Sequence, residues 1–368
     1  MQSYTTASSQ LTFVYSRRRS SRFYENDVSG RQETKDIIAN ITSESQHDRG
    51  LNLLIQVIDS SGLHGPALSC GTRHYLGQGS QFLVTKQTIM TYTHTGCEHV
   101  WVAIKQPKFV LDHDQSLNHG HESARRYLND VYVEVAALTN KALRQHPNIV
   151  RLLSWTFSQT GIHSPISLVM ELADWTLNKY LEGKKENADY DEKRDFTCDI
   201  ANGLDALHKN GFVHGDLKPE NILIFQQHHR RVAKIADFGL CVSDTELAHG
   251  VCLGGTQGWQ APEVESGRLL TYDGLIKADN YSFGLLTWSM FFENGQTPPN
   301  ELRSNPQSGI EQKIKNAEHT ILGTLSFLEP VLPALLQPEP DRRPESLTSL
   351  FPAAVTNEDF KLRFSLLR

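Results

Sequence analysis

The pattern of apolar and polar positions divides the chain into a strand-rich part and a later helix-rich part. HYLGQGSQFLVTKQTIM (74–90) and HVWVAIKQ (99–106) are rich in β-branched and aromatic residues, and turn residues such as THTGCEH break them up. Both predict strands. In 131–144, Val131, Val135, Leu138 and Ala142 share one face at helical spacing. A second helix is predicted over 191–211, with Phe196, Ile200, Leu204 and Leu207 as its stripe and Gly211 as its C-terminal cap. NYSFGLLTWSMFF (280–292) is apolar nearly all round, the mark of a buried helix. Strands followed by helices predict an α+β fold of two lobes, and no internal repeat is visible.

Other stretches break this pattern. Residues 1 to about 48 are rich in Ser, Thr, Gln and charge with no sustained apolar period, which predicts a disordered arm. Its basic stretch RRRSSR (17–22) reads as a solvated tail segment or as a nuclear-import or anion-binding patch. LNLLIQVID (51–59) is a short apolar run whose type periodicity leaves open. Residues 106–130 are polar and His-rich. His113, His119 and His121 there fit no fixed metal-ligand motif, so a solvated insertion is expected.

Length and composition narrow the class. The chain has 368 residues, 39% of them hydrophobic and 21% charged. That suits a soluble protein of two packed lobes, or of one domain with an appendage. The net charge of −6 argues against bulk nucleic-acid binding while allowing a locally basic cleft. Five scattered cysteines without a C-x-x-C pair suit a reducing, intracellular compartment, cytoplasmic or nuclear. The first residues hold no long apolar run, so neither a signal peptide nor a membrane span is expected.

The chemistry sits in an ordered series of motifs. LGQGSQFLV (76–84) places Gly77 and Gly79 in a turn between strands, where backbone N–H groups can approach a phosphate. Alone, two such glycines are only a turn. VAIK (102–105) ends an apolar strand on Lys105. A buried ammonium needs a partner, and a phosphate or the carboxylate of Glu134 would serve. The alternative is a stem lying on the strand with its amine in water. HGDLKPEN (214–221) offers Asp216 as a base, Lys218 as a phosphate holder and Asn221 as a metal ligand; KIADFGL (234–240) adds Asp237. The oxygens of Asn221 and Asp237 suit Mg²⁺, which takes a few protein oxygens beside phosphates and water. GGTQGWQAPEV (254–264) closes the series.

In this order, the set resembles the signature series of eukaryotic-type protein kinases: Gly-rich loop, strand lysine, catalytic loop, D-F-G and A-P-E. HGDLKPEN together with EVAALTNKALRQHPNIVRL also resembles kinase-like proteins of filamentous fungi. The resemblance implies a two-lobed fold, with a small antiparallel β-rich N-lobe carrying one helix and a large, mainly helical C-lobe. It implies a kinase domain over 73–352 (N-lobe about 73–170, C-lobe about 175–352), an extension over 1–72 and a tail over 353–368. It implies ATP and Mg²⁺ as cofactors and protein Ser/Thr hydroxyls as acceptors. Lys105 would bind the α/β-phosphates and pair with Glu134. Val84 and Ala103 would sandwich the adenine, and the backbone of Glu171 and Ala173 in LVMELAD (168–174), behind Met170, would bind its edge. Asp216 would be the catalytic base, Lys218 would hold the γ-phosphate, Thr256 would touch both, and Asn221 and Asp237 would hold Mg²⁺. Leu138, His214 and Phe238 would stack in a column between the lobes. Glu263 would pair with Arg343, and Asp279, opening the buried helix, would anchor the catalytic-loop backbone.

Two departures from the series stand out. Phe82 replaces the third glycine of the loop, which bears on nucleotide affinity. Gly215 precedes the base where an Arg is common, and Val242 stands where a second cation would follow D-F-G. A phosphate on Ser243 or Thr245 would meet no obvious charged partner, so activation-loop phosphorylation is not expected to be the switch. Three readings follow: an active Ser/Thr kinase, a pseudokinase serving as a nucleotide-binding or scaffold module, and a small-molecule kinase of similar fold. The A-P-E segment and Thr256, which build a protein-substrate platform, weigh against the third.

Overall fold

The computed structural model describes residues 58, 63, 69–79, 82–93, 96–108, 131–157, 166–184, 189–244, 250–304, 306–315 and 327–351. The basic stretch 17–22, His113, His119, His121 and Thr245 lie outside the described residues. Of the run 51–59 only Ile58 is described; it is helical and fully buried in the main core.

Five strands form the first sheet: β1 (Ser69–Gln78), β2 (Phe82–Thr93), β3 (Gly96–Pro107), β4 (Leu152–Phe157) and β5 (Ile166–Glu171). They are antiparallel, in the order β1-β2-β3-β5-β4. The two-residue period of β3 sorts its side chains by face. Val102 and Ile104 join Ile89 and Val169 in a small apolar cluster. Ala103 and Lys105 point to the other face, opposite Lys86 and Val84 in register. The helix α1 (131–139) packs beside this sheet, with Val131, Val135 and Leu138 buried. It ends before Ala142, short of the helix expected over 131–144. The side chain of Asn140 accepts a hydrogen bond from the Ala142 N–H (2.9 Å), an Asx turn that competes with the helical ladder.

The second, larger part is mainly helical. It begins with β6 (Trp175–Thr176), α2 (Leu177–Lys184) and α3 (Tyr190–Lys209). Asp189 caps α3 by accepting from the Asp191 N–H (3.0 Å). Phe196, Ile200, Leu204 and Leu207 are all fully buried, each contributing roughly 1.5–3 kcal/mol before entropic losses. Past the helix, Gly211 takes a left-handed φ of 85°, as expected of its terminator. Strands β7 (Phe212–Val213), β8 (Ile222–Gln227) and β9 (Arg230–Ile235) carry the chain past the site, and β6, β8 and β9 form a small sheet. Then come β10 (Val242–Ser243), β11 (Val251–Cys252), α4 (Pro262–Glu265), β12 (Leu269–Leu270) and α5 (Tyr272–Phe292). The short helices α6 (Asn300–Ser304), α7 (Pro306–Lys315) and α8 (Leu328–Leu335) follow.

Helix α5 is the spine of this part, buried from Ala278 to Tyr281 and again from Phe283 to Phe291. It starts at Tyr272, eight residues before the apolar run, with Thr271 as its cap accepting from the Gly274 N–H (3.3 Å). Asp279 therefore lies well inside the helix and does not open it. The protein is thus a two-lobed α+β structure, with a small β-rich lobe over a mainly helical one. Among the described residues no helix is long and apolar enough to cross a membrane.

Candidate active site

The site is built from the ends of strands and the loops that follow them. Strand β3 delivers Lys105, and α1 delivers Glu134 from the neighbouring element. The Lys105 Nζ donates to both carboxylate oxygens of Glu134 (2.8 and 2.7 Å) and to Asp237 Oδ1 (2.7 Å). The Glu134 side chain is fully buried and that of Lys105 is 8% exposed, while the Asp237 side chain is 49% exposed. Burial works to lower the Lys105 pKa, but the adjacent Asp237 and Glu134 outweigh it and hold the ammonium above its ordinary range. Burial pushes the Glu134 carboxyl up, with Lys105 opposing. The Lys105 charge draws Asp237 down to about 2, against the opposing effect of burial. The snorkelling alternative for Lys105 is therefore not what the fold adopts.

Asp237 has a left-handed φ of 63°, unusual for a residue with a side chain. Such a conformation costs about 1–3 kcal/mol and persists where surrounding contacts hold it. The bond to Lys105 is one such contact. The adjoining Ala236 N–H donates to the Asn221 carbonyl (2.9 Å), which sets the D-F-G segment beside the catalytic loop. His214 and Phe238 meet edge to face at 5.6 Å, and both they and Leu138 are buried. Phe238 and Leu138 belong to the same apolar core.

Asp216 is the most heavily coordinated carboxylate of the loop. Its Oδ1 accepts from the Thr256 N–H (2.8 Å) and hydroxyl (2.7 Å). Its Oδ2 accepts from Lys218 Nζ (2.6 Å) and Asn221 Nδ2 (3.2 Å). Lys218 also donates to the Thr256 hydroxyl (2.5 Å), and Asn221 Nδ2 donates to the Asp216 carbonyl (2.7 Å). The arrangement fixes one carboxylate beside one ammonium, as orienting and deprotonating a hydroxyl would require.

The loop is anchored from below. Asp279 accepts from the His214 N–H (2.7 Å), the Gly215 N–H (2.9 Å) and His208 Nε2 (2.9 Å). Burial would raise its pKa, but its bond and proximity to His208 outweigh that and draw it below the carboxylate range. Gly215 has φ 78°, and a Cβ there would stand 2.6 Å from the Leu240 carbonyl. That close seat belongs to glycine. Beyond D-F-G, Val242 and Ser243 pair with Val213 and Phe212, and Ser243 is 2% exposed. Farther out, Arg343 grips Glu263 with two bonds (2.6 and 3.0 Å), both side chains buried.

On the roof, Val84 and Ala103 are half-buried on the Lys105 face, and Met170 is buried behind them. Gly77 and Gly79 have open space where a Cβ would stand. The Glu171 side chain accepts from Lys234 Nζ (2.7 and 2.8 Å) and from the Arg151 N–H (2.8 Å), which fixes the backbone that runs on to Ala173. Lys234 went unnoticed in the sequence. Its signal was the same as that of Lys105, a lysine in an apolar strand. It is buried with its ammonium 4.4 Å from the Phe225 ring.

A buried lysine–carboxylate cluster of the strand lobe and an oriented Asp–Lys–Thr triad of the helical lobe are linked where the Ala236 N–H donates to the Asn221 carbonyl. The protein kinase domain family matches residues 96–358, and the chain belongs to that family. It is similar to CBL-interacting protein kinase 33 of Oryza sativa subsp. japonica, 31% identical over 250 residues, covering 66% of this chain and 48% of the relative. The calcium and calcium/calmodulin-dependent serine/threonine-protein kinase of Lilium longiflorum is 30% identical over 233 residues, 59% of this chain and 42% of its own. The proto-oncogene serine/threonine-protein kinase mos of Mus musculus is 34% identical over 193 residues, 48% of this chain and 51% of its own. The chain thus matches about half the length of these curated relatives.

Proposed function

We propose that the chain is a protein serine/threonine kinase that transfers the γ-phosphate of ATP, with Mg²⁺, to hydroxyls of protein substrates. The observation that carries this is the pairing of two intact charge clusters, Lys105–Glu134–Asp237 and Asp216–Lys218–Thr256, on one cleft. In phosphoryl transfer the protein mainly positions groups and stabilises spread negative charge, and these residues are of the types that task needs.

In this reading Val84 and Ala103 enclose the adenine and the backbone of Glu171 and Ala173 meets its edge. Gly77 and Gly79 let the loop approach the phosphates, and Lys105 holds the α/β pair. Asp216 orients the acceptor hydroxyl and takes its proton, and Lys218 steadies the moving phosphoryl group. Asn221 and Asp237 would hold Mg²⁺. Asn221 spends its N–H₂ on Asp216, which leaves its side-chain oxygen for a cation, and Asp237 keeps one carboxylate oxygen beyond the Lys105 bond. Two hard oxygens with room for phosphates and water suit this ion, which would neutralise charge on the phosphates.

Activation-segment phosphorylation is not the switch in this reading. Ser243 is buried, Val242 pairs with Val213, and Gly215 supplies no cation. The acceptor class (Ser/Thr) and the protein nature of the substrate are supported by the family match, a site inside the cell by the scattered cysteines, and all three belong to the same proposal. Phe82 against Lys105 favours a second reading, a pseudokinase that binds nucleotide or partners without turnover. Thermal shift with ATP and Mg²⁺, followed by labelled-phosphate transfer to a generic basic protein, separates the two. Label on Ser or Thr from the wild type, and none from Asp216→Ala, supports catalysis. Mg²⁺-independent binding without transfer supports the pseudokinase.

A further inference from the structure

The ammonium of Lys105 is already fully engaged. A lysine has three N–H donors. Here they meet three acceptors, Oε1 and Oε2 of Glu134 and Oδ1 of Asp237, at 2.7–2.8 Å. One further contact closes the group: the Phe82 ring lies with its centroid 4.6 Å from Nζ. Phe82 stands at the third glycine position of the loop, so a bare backbone is expected where this ring lies.

The ring is held where it is. Phe82 begins β2 opposite Pro107, two residues before Val84, which pairs with Lys105. The two-residue period puts Phe82 and Val84 on the same face as the lysine. The Gly79 N–H donates to the Phe82 carbonyl (2.9 Å), which closes the loop into the strand, and the side chain is 9% exposed within the main core. Gly77 and Gly79 have open space beside them, so the crowding on the lysine comes from position 82.

We propose that Phe82 is a selectivity residue: its ring covers the face of Lys105 that a phosphate must reach, so the site discounts the phosphate chain of a nucleotide while leaving the nucleoside end untouched. The inference rests on the reading of the cleft as a nucleotide site. A phosphate oxygen must displace both the ring and one carboxylate to take a hydrogen from Lys105. Adenine, by contrast, meets Val84, Ala103 and the backbone after Met170, with no demand on the lysine. The ring also holds the ammonium by a cation–π contact that a phosphate must replace.

Calorimetry on the full chain with MgATP and with adenosine tests this. Phe82→Ala and Phe82→Gly are expected to gain about tenfold in MgATP affinity, equal to about 1.4 kcal/mol. Adenosine affinity is expected to stay within about twofold. Phe82→Leu keeps an apolar side chain in the core but no ring, so it covers a failure of the smaller variants to fold; a smaller gain confined to MgATP is expected of it. Adenosine binding retained with no MgATP gain in any folded variant overturns the inference and leaves the nucleotide reading standing. An equal gain for both ligands also overturns it, since the ring would then close the whole cleft. No binding of either ligand by wild type or variants removes the nucleotide reading and the inference with it.

Discussion

The floor and the roof of the cleft are held by different physics. On the floor, four hydrogen bonds converge on the Asp216 carboxylate and three on Asp279 beneath it. A buried two-pronged Arg343–Glu263 pair braces the segment that carries Thr256. On the roof, the loop glycines stand in open space, and the buried ammonium of Lys105 is shared between two carboxylates and an aromatic ring. The floor is preorganised by redundancy, so the loss of any single bond leaves others in place. In the proposed reading the roof is poised, because its lysine must change partners before it can serve a phosphate. Geometry for the chemistry is therefore set below, and access to it above.

For stability, the largest expected effect lies on the floor. Arg343→Ala leaves Glu263 charged and buried, and breaking such a pair costs about 3–5 kcal/mol. Urea denaturation measures it, and a loss under about 1 kcal/mol, the range of an exposed ion pair, would mean the floor is not braced this way. Next comes the seat of the activation segment. Gly215→Ala must hold a left-handed φ against the Leu240 carbonyl, an expected loss of about 1–3 kcal/mol with lower turnover. Ser243→Ala should by contrast keep turnover within about tenfold, or ~1.4 kcal/mol. A collapse in the Ser243 variant would restore phosphorylation as the switch. The smallest effect concerns pH. Burial draws His146 down to about 4 in the folded chain, against about 6.5 unfolded. The unfolded state then binds the extra proton, so this contribution to stability is full above about 6.5 and declines as pH falls toward 4. Melting temperatures of wild type and His146→Gln should differ in their slope against pH within that window and run parallel outside it. Parallel curves throughout it would remove His146 as the cause.

Much of the floor and roof was legible in the sequence, for identifiable reasons. The residues alone left Lys105 a phosphate, Glu134 or water as partner; the kinase resemblance implied Glu134, and the two meet at 2.7 Å. Lys218, Thr256 and Asp216 were expected to touch, and they do. The C-terminal end of α3 was legible in Gly211, but the end of α1 and the start of α5 were not. Asn140 stops α1 through its own side chain, and Thr271 caps α5 ahead of the continuous apolar run, whose preceding turn mixes Tyr272, Leu275 and Ala278 with polar residues. Nor was the bond of Lys234 to Glu171, since it joins residues 63 apart in the chain. Position 82 showed only that a glycine was missing. That its ring turns inward onto Lys105 depends on strand register, which a one-residue slip would reverse.

The central claim is that Asp216 on the preorganised floor performs phosphoryl transfer. It is tested most directly by comparing wild type and Asp216→Asn for labelled-phosphate transfer from MgATP to a Ser/Thr-containing protein, alongside MgATP affinity. The account predicts transfer by the wild type, a loss of roughly 10²–10⁴-fold in the variant, and an affinity that barely changes. Equal transfer by both proteins, or none by a wild type that binds MgATP, would contradict it.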